Sequence, residues 1–250
     1  MARALRLVDL LASDQALAEG GLGVSRVAEL LRRDKSQVSR TLKVLHEEGL
    51  VDRDAATMVY RPGWKLFAYG ARAGQPTLTA AAPQILESLS AATSETAHLS
   101  VLKGAEILTV ASRAGDASVQ AMSWVGRAVP AHCTSAGRAI LFDHDDAALE
   151  RLLGAGPYPQ PTAKAPRTLA QLARRLEADR RRGFAIVADE FEPGLVGVSA
   201  PVRDARGQIV ASINVSGPAF RFGNRAPATG SVVVEAATSL SRLLGNHPQG

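Results

Sequence analysis

Between Ser25 and Arg61 the chain spells two short amphipathic helices, a three-residue break and a polar hairpin, a succession that few folds accommodate. Val27, Leu30 and Leu31 recur at helical spacing behind Ser25, which is placed to cap the helix, with Glu29 in its second turn. Arg32-Arg33-Asp34 breaks the pattern, and Asp34 is placed to cap a second helix over 35–48. Val38, Leu42 and Leu45 share one face of that helix; Ser36, Gln37, Arg40, Lys43 and Glu47 share the other. Two short helices across such a turn match the helix-turn-helix pattern.

A polar helix face alone is more often solvated surface than a binding surface, so the next segment decides. Gly49-Leu50-Val51-Asp52-Arg53-Asp54 ends the helix at a glycine and opens a strand; Ala55-Ala56-Thr57 turns the chain, and 58–61 return it. A hairpin in that position is a wing. An exposed helix entering the DNA major groove touches base edges from its first turns, where Arg can grip guanine and Gln adenine with paired hydrogen bonds. The expected base readers are therefore Ser36, Gln37 and Arg40, with Lys43, Arg53 and Arg61 mainly on phosphates. Ser25, Arg26, Lys35 and Ser39 complete the expected DNA-facing set.

Charge adds little to this. The net charge is +5, and the first 75 residues carry 12 basic and 9 acidic side chains. A mild surplus favours a polyanion partner without deciding for one, so placement carries the argument. The 250 residues, 46% of them apolar, suffice for two cores. The single cysteine, Cys133, excludes an intrachain disulfide and a thiolate metal cluster and suits a reducing, cytoplasmic compartment. Apolar runs stop well short of the ~18 residues of a spanning helix, so no membrane association is expected.

Before the reader, residues 3–12 have helical periodicity through Leu5, Val8 and Leu11, and 13–23 reads as a loop. Gly20-Gly21-Leu22-Gly23 lacks the Gly-Lys-Ser/Thr that a phosphate loop requires. After the wing, Pro62-Gly63 precedes a short helix from Trp64, and Gly74-Gln75-Pro76 interrupts it. Trp64, Phe67 and Tyr69 are expected to dock the reader onto a partner. A longer helix follows over 77–95, with Leu78, Ala81, Ile85, Leu86 and Leu89 on one side and Pro83 tolerated near its start.

From Thr96 strands and helices alternate: strands at 97–102, 106–110, 119–125 and 184–188, a hairpin of 196–202 with 208–216, and helices at 135–142, 145–153, 169–182 and 231–244. An antiparallel sheet faced by helices makes this an α+β chain of two domains. The expected division is 1–62, a winged helix-turn-helix; 63–95, linker helices; and 96–250, a sensor domain. Rival chemistries fail on the residues. His132 and Cys133 are neighbours on an extended segment and point opposite ways. Asp143, Asp145 and Asp146 open a helix, where acidic residues are favoured without any metal. Gly197-Val198-Ser199-Ala200-Pro201 lacks the second glycine of a hydrolase elbow. His98 either faces a pocket or satisfies a local bond. No catalytic residue, metal or cofactor is expected.

Several segments of this second half, with Gly49-Leu50-Val51 before the wing, resemble the IclR family of bacterial transcriptional regulators. They are Pro130-Ala131-His132-Cys133-Thr134-Ser135-Ala136-Gly137-Arg138-Ala139, Arg182-Gly183-Phe184-Ala185 leading through Asp189-Glu190, Gly194-Leu195-Val196-Gly197-Val198-Ser199-Ala200-Pro201-Val202, and Ala211-Ser212-Ile213-Asn214-Val215-Ser216-Gly217-Pro218. Their order and spacing fit from Ala4 to Leu244. The resemblance implies a winged helix-turn-helix, a linker helix and a GAF-like effector domain. It also implies a homodimer, or a dimer of dimers, on double-stranded operator DNA near catabolic genes, more often as repressor than activator and under a small organic acid. Carried over by position, Ser135, Ala136, Leu195, Gly197, Asn214 and Ser216 line the effector pocket. Relatives that bind very small acids carry an acidic residue at the position of Val187, cysteine at Gly197 and serine at Asn214. The substitutions imply a roomier, less polar pocket for a larger, aromatic acid, with Met122 or Trp124 as a wall.

Overall fold

The structure, a computed structural model, describes residues 2–72, 76–115 and 124–245. The chain divides between Pro76 and Thr77 into two compact units.

The first unit opens with α1 (Ala2–Leu11), which presents Leu7 and Leu11 to the core. The segment expected to be a loop contains a five-residue helix, α2 (Asp14–Ala18), capped by Ser13 through the Ala16 N–H. One turn is too short for periodicity to reveal. The reader pair is α3 (Val24–Leu31) and α4 (Lys35–Glu47), joined by three residues of which Arg32 takes left-handed backbone angles. The cap of α3 is Gly23, not Ser25, which lies inside the helix. Asp34 does cap α4, accepting from the Ser36 and Gln37 N–H groups at 2.9 and 3.0 Å.

At its end α4 closes on Gly49 at φ 70, with Gly49 N donating to His46 O and Leu50 N to Leu45 O. That paired closure needs a left-handed residue, which glycine supplies without a Cβ penalty. The wing follows as β1 (Val51–Arg53) and β2 (Tyr60–Pro62), in register Val51↔Pro62 to Arg53↔Tyr60. Its second strand starts two residues later than expected because Met58 sits at φ 60 in a turn organised by Asp54. Leu22 bridges Tyr60 on the far side of β2. Val27, Val38, Leu42, Leu45, Val51 and Tyr60 pack with Leu7 and Leu11 as one core. The last element of this unit is α5 (Trp64–Arg72). Trp64 and Tyr69 are exposed, while the Phe67 side chain lies outside the described residues.

The second unit begins with α6 (Pro76–Thr93), which buries Leu78, Ala82, Leu86 and Leu89. Its sheet consists of β3 (Thr96–Lys103), β4 (Glu106–Arg113), β5 (Ala128–Pro130), β6 (Ala185–Ala188), β7 (Leu195–Arg203) and β8 (Ile209–Pro218). All neighbours are antiparallel, in the order β5-β4-β3-β8-β7-β6. The sequence reading did not foresee β5, and the expected strand over 119–125 lies outside the described residues except for Trp124 and Val125.

Alternation along the strands sends Leu99, Val198, Ile213 and Val215 to one face, where α6 packs with α10 (Ala219–Phe222) and α11 (Ala226–Leu243). The opposite face carries α7 (Ser135–Ile140), α8 (Asp146–Leu153) and α9 (Leu169–Arg182) around Leu141, Leu149, Leu172 and Leu176. The helix expected over 135–142 ends at Ile140 and tightens into a 3-10 turn, Leu141–Asp143. Asp145 caps α8 through the Ala148 N–H at 2.7 Å. Among the described residues no cluster of His, Cys, Asp and Glu can hold a metal, and no helix is long and apolar enough to cross a membrane.

Candidate functional site

The first candidate surface is the outer side of α4. Val38, Leu42 and Leu45 are buried, so the intervening Lys35, Ser36, Gln37, Ser39, Arg40 and Lys43 are forced outward, and all six are exposed. Their side chains are only lightly engaged. Arg40 Nε donates to Ser36 O at 3.3 Å, and Lys43 Nζ lies 3.9 Å from Glu47. The Ser36 hydroxyl is the most committed, donating to Asp34 at 2.5 Å. With the Gln37 and Ser36 N–H groups it holds the Asp34 carboxyl below its ordinary range.

The flanking residues divide. Ser25 is exposed. Arg26 is held by Glu29 at 2.9 Å and Glu19 at 3.6 Å, and Arg61 Nε donates to Gly20 O at 2.6 Å. Arg53 lies over the Tyr60 ring at 5.7 Å and points Nη2 at Met58 Sδ. Arg26 and Arg61 thus brace the unit internally. Sequence reasoning missed Arg3 and Arg33, which line a groove with Gln37 and Arg40. Their positions, on α1 and in the turn, converge only once the helices pack.

The second candidate site is a cavity between the sheet and α7. Trp124, Ser135, Ala136, Val187, Leu195, Gly197, Asn214 and Ser216 all line it; Met122 lies outside the described residues. His98, Ser100 and Thr109 join them from β3 and β4, with Ile107, Val129 and Phe191 adding apolar wall. The sequence reading placed none of these six in the pocket except His98, left open between two roles. They come from four separate segments that only the strand order brings together. Trp124 meets Phe191 edge to face at 5.9 Å between ring centres.

The polar lining is partly self-satisfied. His98 Nε2 and Ser216 Oγ are 3.1 Å apart, and Nδ1 is 2.9 Å from Ser112 Oγ. Burial lowers the His98 imidazole to about 4, so it is neutral at physiological pH. Ser100 and Thr109 lie 3.4 Å apart. By contrast, the hydroxyl of Ser135 and the amide of Asn214, residues only 6% and 7% exposed, have no protein partner among the described residues. Thr134 accepts from the Gly137 N–H at the start of α7.

Gly197 does not leave the room expected of it. A Cβ there would stand 2.5 Å from Ser135 Oγ, so the serine hydroxyl already fills that space. Lys and Arg are absent from the described lining, and its one carboxylate, Glu192, is exposed.

Behind the cavity a buried charge cluster fixes α7. Arg138 reaches Asp179 at 2.7 Å and Glu190 at 2.9 Å and donates to Ile186 O; Arg175 and Arg182 reach the same carboxylates from α9. Burial pushes both carboxyls up, against the pull of the arginines. Cys133 is buried and its thiol is pushed up to about 12, mainly by burial, while His132 bonds Pro159 O at 2.8 Å. They form no nucleophile and base pair.

Comparison with known proteins agrees with this architecture. The IclR helix-turn-helix domain model matches residues 1–55, and the bacterial transcriptional regulator IclR C-terminal model matches 73–242. The chain is 30% identical to the HTH-type transcriptional regulator BhcR of Paracoccus denitrificans over 96% of its length and 85% of the relative's. It is also 30% identical to the HTH-type transcriptional regulator XynR of Escherichia coli, over 97% and 96%. The crystal structure of Thermotoga maritima IclR superposes with a TM-score of 0.77 at 29% identity, covering 98% of both chains. With models of both halves matched and regulators alike over nearly its whole length, the chain belongs to the IclR family of transcriptional regulators.

Proposed function

We propose that the protein is a repressor of a catabolic operon that reads operator DNA through α4 and is controlled by a small organic acid bound between the sheet and α7. One observation carries the effector half: the Ser135 hydroxyl and the Asn214 amide line the cavity without a side-chain partner among the described residues, beside a described lining that is largely apolar or self-satisfied. Polar groups that line a cavity and are not tied to the protein are available to a ligand with matching acceptors, while the apolar wall supplies the burial. The hydroxyl and amide donate to a carboxylate, and the edge formed by Trp124 and Phe191 suits an aromatic ring. Because the described lining supplies neutral donors and no cation, the acid is held by hydrogen bonds, not by an ion pair.

On the DNA side, Ser36, Gln37 and Arg40 read base edges while Lys43 and Arg53 hold phosphates. A homodimer places two α4 helices in successive major grooves, ~34 Å apart. The effector acts only insofar as it binds two conformations of that dimer unequally; a tenfold change in operator affinity corresponds to about 1.4 kcal/mol.

The test is a gel shift with the DNA upstream of the protein's own gene, repeated with a panel of aliphatic and aromatic carboxylic acids and their neutral amides. A specific shift relieved by an aromatic acid and not by its amide is expected. Equal action of acid and amide would sink the carboxylate assignment, and no shift at all would sink the reader. Relief by two- or three-carbon acids alone would remove the aromatic part.

A further inference from the structure

Among the described residues Arg113 pairs with Glu87, Arg138 with Asp179 and Arg203 with Asp143. Arg3 and Arg33 form no such pair and stand together. They come from the first turn of α1 and the last residue but one of the turn before α4, and they line one groove together with Gln37 and Arg40. Leu7 and Val38, both buried, and Thr41 complete its described lining. Among the described residues, no carboxylate forms an ion pair with Arg3, Arg33 or Arg40. Asp34 at the helix terminus offsets part of the Arg40 charge without pairing with it, and three cations around one concavity gain from a further anion supplied from outside.

The neighbouring helix terminus cannot serve that anion. The α4 N–H groups of Ser36 and Gln37 already donate to the Asp34 carboxylate. A phosphate approaching there would meet a like charge. The arginine groove lies on the flank of the same helix, beside the Gln37 and Arg40 side chains that stand outward.

We infer that Arg3 and Arg33 hold neighbouring backbone phosphates of the DNA strand flanking the base that Arg40 reads, and so set the register of α4 in the major groove. This rests on the reading of α4 as the DNA reader. Contacts of this kind position a protein without carrying sequence information.

The experiment measures anisotropy of the full-length protein with two duplexes, one of random sequence and one from upstream of its gene, across about 50–200 mM chloride. Arg3→Ala and Arg33→Ala are each expected to lower the log–log salt slope by about 1, and to weaken both duplexes by the same factor. Arg33→Lys restores the slope, because a phosphate contact needs the charge, and Arg242→Ala, the same loss of charge on α11, leaves it unchanged. Inorganic phosphate, matched to chloride in ionic strength, displaces neither duplex beyond what chloride does.

Wild-type slopes in both alanine variants would overturn the inference and leave the reader assignment standing. Loss of preference for the upstream duplex at an unchanged slope would overturn it by making these residues base readers. Selective displacement by phosphate would overturn it by assigning the groove to a free anion. Failure of the unmodified protein to bind either duplex would remove the reader assignment first.

Discussion

The outer face of α4 and the cavity beneath α7 are both polar, but they are organised oppositely. On α4 the polar groups stand in water, and their strongest ties are a capping aspartate and an i,i+4 neighbour. Under α7 the polar groups are nearly dry, and almost every one is tied to another element: His98 to Ser112 and Ser216, Ser199 to Ile213 O, Arg138 to Asp179 and Glu190. A surface that must follow a polymer of varying sequence gains from side chains free to move. A cavity that must recognise one ligand gains from donors fixed in advance. The two regions should therefore respond very differently to the loss of one side chain.

The largest expected effect is in the buried cluster. Arg138→Ala leaves Asp179, fully buried, and Glu190 without their central cation. Breaking a buried ion pair on one side costs about 3–5 kcal/mol. Urea unfolding of the full chain should show that loss. Lys43→Ala, which removes an exposed pair with Glu47 on α4, should leave the midpoint where it was. Equal effects of the two would erase the contrast between the regions.

Next comes a pH dependence located in the cavity. Burial holds the folded His98 at about 4, against 6.5 when unfolded. Between those values the unfolded chain binds more protons, so stability from this group is fully present above 6.5 and is lost as pH falls towards 4. The shift corresponds to about 3 kcal/mol. His98→Gln should flatten the acid limb of the stability curve over that window, read by thermal melts at stepped pH. An unchanged acid limb would mean that His98 is far more hydrated than its packing shows.

The same contrast explains what was legible in the sequence. The reader is contiguous: its turn, cap and apolar stripe lie within 25–48, so the 3.6-residue period exposes it. What was lost there is local, such as the single turn of α2 and the positive φ of Met58 that delays β2. The cavity draws on β3 to β8, α7 and the segments before β5 and after β6, and no period links His98, Thr109 and Phe191. Its wall could be named only where a family resemblance supplied positions. The closing helix, expected over 231–244, starts five residues earlier in the structure, at Ala226, and takes in Pro227 and Gly230. Proline is at home in a first helical turn, and Gly230 is pressed against the Phe184 ring, where a Cβ has no room.

On the exposed side, Arg40→Ala should cost about 1–3 kcal/mol in affinity for the upstream DNA and relax preference at one base pair, with stability unchanged. Lys43→Ala should weaken specific and random duplexes alike. If both variants kept full specific binding, the outward face of α4 would be plain solvated surface, and the comparison would lose one of its two terms.

The smallest change to a side chain tests how tightly the cavity is fitted. In Gly197→Ala the new methyl would meet Ser135 Oγ at 2.5 Å, but a serine hydroxyl can turn to another staggered position. The stability cost should therefore stay below about 1 kcal/mol, less than the usual 1–3 kcal/mol of an overpacked core. The turned hydroxyl would no longer stand where the unmodified chain holds it, so the acid concentration needed to relieve the gel shift should rise while the shift without acid stays the same. Thermal melts and the acid titration separate the two readouts. A large stability loss with an unchanged titration would mean that Ser135 is locked by packing and takes no part in holding the ligand.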